Sequence, residues 1–175
     1  MSRFRICTLI VATVIATISS VPTTAAFQRD NSGRVMWENN CDFARNDYRS
    51  VLVASNGINA YRSQYSLSAL TIDYRLVAAA QLHSQDQASH CRMTHTGSNG
   101  SSMGDRINAQ NYNYNTAAEN VASGQATVEE VMIAWWNSPE HRANILNKDV
   151  VNVGFAKDDS GGCGNYWTQD FGRLA

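Results

Sequence analysis

The chain has 175 residues, 43% of them hydrophobic and 17% charged, with a formal net charge of −1. That length and balance suit one globular domain with a proper core. Near-neutral charge without a basic run excludes the electrostatic footprint of a nucleic-acid binder.

Residues 1–26 read as a secretory signal. Arg3 and Arg5 give a positive start, the run from Ile6 to Ile18 is apolar apart from Thr8, Thr13 and Thr17, and Thr24-Ala25-Ala26 offers small residues for cleavage. The run is shorter than the ~20 residues that span a bilayer, and no later segment is apolar enough. No transmembrane anchor is expected, and the protein is expected to be secreted and extracellular. Taking Arg3 and Arg5 from the 14 basic residues leaves 12 against 15 acidic ones, and Cys7 leaves with them. Cys41, Cys91 and Cys163 then remain in an oxidising compartment. The count predicts one pair and one leftover thiol, and spacing alone does not choose the pair. Asn99-Gly100-Ser101 fits the glycosylation acceptor pattern.

Residues 27–46 are polar and mixed and read as an N-terminal extension; the domain proper is expected over 47–175. A first helix is predicted from Asp47 to about Gln64, with Gly57 inside it at a cost of about 1 kcal/mol relative to alanine. Ser66 to Thr71 reads as a connector. Thr71 or Asp73 can cap a second helix to about Ser89, with Leu76, Val77, Ala80 and His83 on one stripe. His83 on that stripe reads as a core histidine. Thr94 to Gly104 is rich in Gly, Ser, Thr and Asn and predicts a loop; it carries His95. A short helix is expected from Met103 to Ala109. The polar 110–122 segment, with Glu119, can hide a strand.

Thr127 can cap a further helix, with Glu129 and Glu130 near the positive end of its dipole. Val128, Val131, Met132 and Trp135 recur at spacings of three and four, which marks one buried face. Ser138 can cap a second short helix with Pro139 at its first position, where a missing N–H costs nothing. In that helix Ser138 and His141 face the same way. Val151 to Ala156 and Tyr166 to Phe171 read as strands joined by a hairpin over 157–162. Helices first and strands late make the class α+β.

The sequence holds no HExxH, no CxxC, no GxSxG elbow and no phosphate-binding glycine loop, so no nucleophile is announced. His95, Glu119 and His141, if the fold brings them together, form a two-histidine, one-carboxylate set whose ligand types suit zinc. The same three side chains can equally form a metal-free polar cluster.

Several ordered motifs resemble the CAP superfamily of cysteine-rich secretory proteins, antigen 5 and pathogenesis-related 1 proteins. Asn59-Ala60-Tyr61-Arg62 looks like its N-x-x-R pattern, and Leu70 to Ala80 followed by His83-Ser84 looks like its second helix. Cys91 to His95 has its C-x-x-x-H spacing, and Ala118 to Gly124 resembles G-E-N-L-A-x-G. Cys163 to Gln169 resembles C-x-H-Y-T-Q with one extra residue, and Trp135 to Leu146 looks closest to the shorter, bacterial-like branch. The likeness covers about residues 50–172. It implies an α-β-α sandwich around a mostly antiparallel sheet of three or four strands, and a cleft lined by two histidines and two glutamates. His95 and Glu119 match that tetrad; its second glutamate falls on Ser138 and its second histidine on Asn165. His141, one turn beyond Ser138, can point into the same cleft, with Asn165, Gln169 and Ser138 as neutral neighbours. The resemblance also implies that Cys91 pairs with Cys163.

Two functions follow. The first is a non-catalytic extracellular binding module, for which the resemblance implies a small lipid or sterol, or an extracellular protein, as partner. It needs no cofactor and assigns no catalytic residue. The alternative is a metal-assisted hydrolase or peptidase in which His95 and His141 hold zinc with Glu119 as ligand or base.

Overall fold

The computed structural model of the chain describes residues 57–175 and one short antiparallel pair, β1 (Gln28–Arg29) with β2 (Val35–Met36). That pair falls inside the stretch read as an extension. The expected signal segment, Cys41 and the 47–56 part of the expected first helix lie outside the described residues.

Helix α1 (Ile58–Gln64) starts later than its pattern suggested. Gly57 is its N-cap, in extended conformation, so the glycine does not sit within the helix. Asn59 and Arg62 then act as ties. The Asn59 side chain donates to Leu70 O and accepts from Leu70 N. The buried Arg62 guanidinium donates to the carbonyls of Ser68, Ile145 and Asn147.

The connector ends in β3 (Thr71–Ile72). Asp73 then caps α2 (Tyr74–Ser89) by accepting from Arg75 N at 2.9 Å. The predicted stripe of α2, Leu76, Val77, Ala80 and His83, is buried. Next come α3 (Met103–Ala109), β4 (Tyr114–Ser123), α4 (Val128–Asn137), α5 (Pro139–Ile145), β5 (Asn152–Asp158) and β6 (Tyr166–Leu174). The strand hidden in the polar 110–122 segment is thus β4. Thr127 caps α4 as its sequence suggested. Ser138 stands at the N-cap of α5 but makes no side-chain cap bond.

The sheet order is β3-β5-β6-β4; β3 runs parallel to β5, and the other pairs are antiparallel. This is an α+β sandwich with a mixed four-stranded sheet. On one face lies α2, so close that a Cβ at Gly154 would collide with the Leu76 backbone. The Ser84 and Gln87 side chains of α2 reach Thr168 of β6 at 3.0 and 3.1 Å. On the other face lie α4 and α5. Trp135 is 1% exposed, donates Nε1–H to Val121 O at 3.1 Å and meets Phe155 edge to face. Trp167 is buried against the same phenylalanine.

Trp135→Ala removes the largest side chain of this layer. It should lower unfolding stability by about 3–5 kcal/mol, the usual range for large-to-small core changes, measured by urea titration at constant m. A loss under about 1 kcal/mol would show that Trp135 does not carry the α4 face.

Candidate functional site

Two loops are fixed before any side chain of the site can meet another. The loop after α2 is fastened at its start by a disulfide between Cys91 and Cys163, with Cα atoms 5.7 Å apart. That bond joins the loop to the β5–β6 connection and closes about 70 residues, worth roughly 4 kcal/mol on a chain-entropy estimate. Further along, α2 holds the loop with polar side chains. Gln87 accepts from Thr94 N, Asp86 accepts from Ser98 N, and His83 Nε2 lies 2.7 Å from Thr94 O. His83 is therefore the core histidine that its stripe suggested, with Nε2–H donated to a backbone carbonyl.

The second delivery is made by α3. Ser102 and Asp105 form a capping box at its start. Gly104 lets the helix lie against β4, because a Cβ there would strike the Tyr114 hydroxyl. The next residue but one is Arg106.

Both deliveries end on Glu119. His95 Nδ1 lies 2.8 Å from Glu119 Oε1, and Arg106 Nη2 lies 2.6 Å from Oε2. The other Arg106 Nη donates to Ser101 O at 3.0 Å. Side-chain exposure falls from 59% at His95 to 9% at Arg106 and 2% at Glu119. Burial works to raise the Glu119 carboxyl, but the His95 hydrogen bond and the Arg106 charge outweigh it and hold the group below the usual carboxylate range. The same bond lifts His95 above an ordinary histidine, against partial burial.

Sequence reasoning missed what lies behind Glu119. Its cross-strand partner on β6 is Asp170, 0% exposed. Burial first, then the Glu119 charge, pushes the Asp170 carboxyl well up, which favours its neutral form. No N–H or O–H of another described side chain reaches its oxygens. A neutral Asp170 can give its own O–H to Glu119, which two ionised carboxylates cannot do. The available signal was Thr168-Gln169-Asp170, three polar residues running through a strand expected to be buried.

The remaining expected residues separate by face. Strand alternation puts Glu119 and Asp170 on the α2 side, and Asn120 and Gln169 on the α4–α5 side. Gln169 accepts from Asn120 Nδ2 at 3.0 Å and points Nε2 at Met132 Sδ, so it is a core polar residue away from Glu119. Asn165 donates to Gln125 O and fastens the β4–α4 turn. It lies five residues up the strand from Asp170, roughly 17 Å along it. Ser138 is half-buried at the head of α5. His141, also half-buried, gives its carbonyl to Asn120 Nδ2. Burial lowers its pKa first, and the nearby His95 charge lowers it further. His95 and His141 thus come within electrostatic reach from opposite faces, around the edge strand β4.

The cysteine-rich secretory protein family, CAP, is matched over residues 56–171. The chain belongs to this family. Uncharacterized protein YkwD of Bacillus subtilis is 39% identical over 113 residues, which are 65% of this chain and 43% of that protein. This CAP chain spans less than half the length of the curated relatives it matches. An extracellular protein containing a SCP domain from Bacillus anthracis is similar at 28% identity and TM-score 0.62, over 66% of this chain and 37% of that one. An outer surface protein from Borrelia burgdorferi shares the fold at 24% identity and TM-score 0.67, over 75% of this chain and 96% of that one.

The zinc set suggested by the sequence does not fit this cleft. Both Glu119 oxygens are engaged, one of them by a fixed cation. Among the described residues, no three or more His, Cys, Asp or Glu side chains are grouped to hold a metal ion.

The raised His95 pKa makes a stability claim whose sign is defined. Stability from the His95–Glu119 bond is fully present below about pH 6.5, the unfolded value, and is lost as pH rises through the folded value. His95→Asn should therefore cost more at pH 5.5 than at pH 8.5. Because His95 is largely exposed, the difference should be a few tenths to about 1 kcal/mol. Urea unfolding at both pH values tests it; an equal loss at both would reject the ion pair.

Proposed function

We propose that this CAP domain is a secreted, non-catalytic binding module. The observation that supports it best is the state of Glu119, whose two oxygens are taken by Arg106 and His95. A carboxylate so engaged is a poor general base, and among the described residues no serine or cysteine stands in hydrogen-bond contact with His95 as a nucleophile would. Beside the cleft, a groove of about 470 Å³ runs between α2, α3 and the loop, with Leu82 and Ala109 for apolar contact among mostly polar walls that include Asp86, Asp105 and Arg106. That volume lies in the small-molecule range. A small lipid or sterol, or an extracellular protein seated on this surface, is the partner class that we assign to it. Secretion is supported by the leader-like residues 1–26 and the Cys91–Cys163 disulfide. No helix among the described residues is long and apolar enough to cross a membrane.

Mass spectrometry of small molecules that copurify with the secreted protein tests the reading. Apolar compounds are expected at near-stoichiometric amounts, lost on placing Asp or Lys at Leu82. The same preparation should cleave no peptide, with or without chelator. Chelator-sensitive peptide turnover would instead establish the hydrolase alternative.

A further inference from the structure

We propose that Arg106 is the built-in cation of the cleft: its guanidinium takes the Glu119 oxygen that a divalent metal would need as a ligand, and the His95–Glu119 pair works without a metal. The inference is independent of which ligand the cleft binds.

Charge balance carries the argument. The groups facing Glu119 are His83 from α2, His95 from the loop, Arg106 from α3 and Asp170 from β6. His83 gives Nε2–H to Thr94 O, so its buried Nδ1 is bare, and burial keeps the ring neutral. Burial beside Glu119 favours the neutral form of Asp170 too. Among the described residues, the fixed charges around Glu119 are then its own carboxylate and the Arg106 guanidinium. Those two charges cancel, and the only variable charge is on the exposed His95. A divalent ion would bring two positive charges into a desolvated site with no anion left to meet them.

The placement of Arg106 is also prepared rather than incidental. The capping box sets the first turn of α3, Gly104 lets that turn touch Tyr114 of β4, and Ser101 O fixes the second Nη. The planar fork thus spans two acceptors at once, which a lysine ammonium does less well. Arg106 is a positioning residue here: it orients Glu119, and Glu119 holds His95 by Nδ1.

The test is zinc titration of the full secreted protein, read at the His95 and His141 ring signals by NMR and by calorimetry. Wild type and Arg106→Lys should show no saturable zinc response at His95. Arg106→Met, which removes the charge, should gain zinc affinity by about tenfold or more. If the methionine variant does not fold, Arg106→Gln takes its place, keeping a donor for Glu119 without the charge. Stoichiometric zinc on wild-type His95 would overturn the proposal. So would a folded Met or Gln variant whose zinc response matches wild type.

Discussion

A carboxylate as buried as Glu119 has to be met on both oxygens by donors, or its desolvation is not offset. Much of the domain's irregular structure serves that single requirement. His95 arrives on a loop that the Cys91–Cys163 bond fastens at one end and α2 fastens along its length. Arg106 arrives on a seven-residue helix too short to be stable by propensity alone. Its capping box and its contact with β4 through Gly104 give it a fixed place. The disulfide and α3 are therefore parts of one device, though they lie on separate segments of the chain.

The sheet decides what can meet Glu119. Because β4 is an edge strand, its two faces are separated by only the strand's thickness. Glu119 faces α2, and the adjacent Asn120 faces α5, where Asn144 and Gln169 bond its side chain. Asn144 also donates to the Glu119 carbonyl, so α5 holds the backbone of the residue whose side chain the other face uses. That arrangement lets His141 approach His95 around the edge although the two belong to different layers. It also explains why Gln169 turns away from the cleft: one step along a strand reverses the face.

Local signals were read well where a side chain acts on its own backbone. Asp73 marked the start of α2, Thr127 that of α4, and the Leu76 to His83 stripe marked a buried face. The pairing of Cys91 with Cys163 and the His95–Glu119 meeting came from motif resemblance, because spacing carries no information about contacts across 72 or 24 residues. β4 was only half legible. Its buried stretch carries Glu119 and Asn120, and polar residues conceal strand periodicity. Arg106 and Asp170 were not legible as site residues at all. Arg106 reads as an ordinary polar helix residue beside Asp105, and periodicity reports burial without reporting the partner. Asn165 was misjudged for a related reason: a motif one residue longer than its relatives leaves register undetermined, and only pairing with β4 places Asp170, not Asn165, opposite Glu119.

The same cluster sets how the domain responds to pH, and its members pull in different directions. Glu119, held below its ordinary value of 4.5, contributes stability that is present above that value and lost as pH falls through its folded pKa. His95, held above 6.5, contributes below that value and loses its contribution as pH rises. Asp170 acts in the same sense as His95. Its raised folded pKa means that the unfolded chain releases a proton above about 3.8 while the folded chain keeps it, so stability declines as pH climbs from there toward the folded value. His95 and Asp170 thus favour acid, and Glu119 and His83 oppose it: burial holds His83 below an ordinary histidine, so its contribution is lost as pH falls below about 6.5. Arg106 acts on both partners of the pair: it deepens the Glu119 shift and restrains the His95 shift.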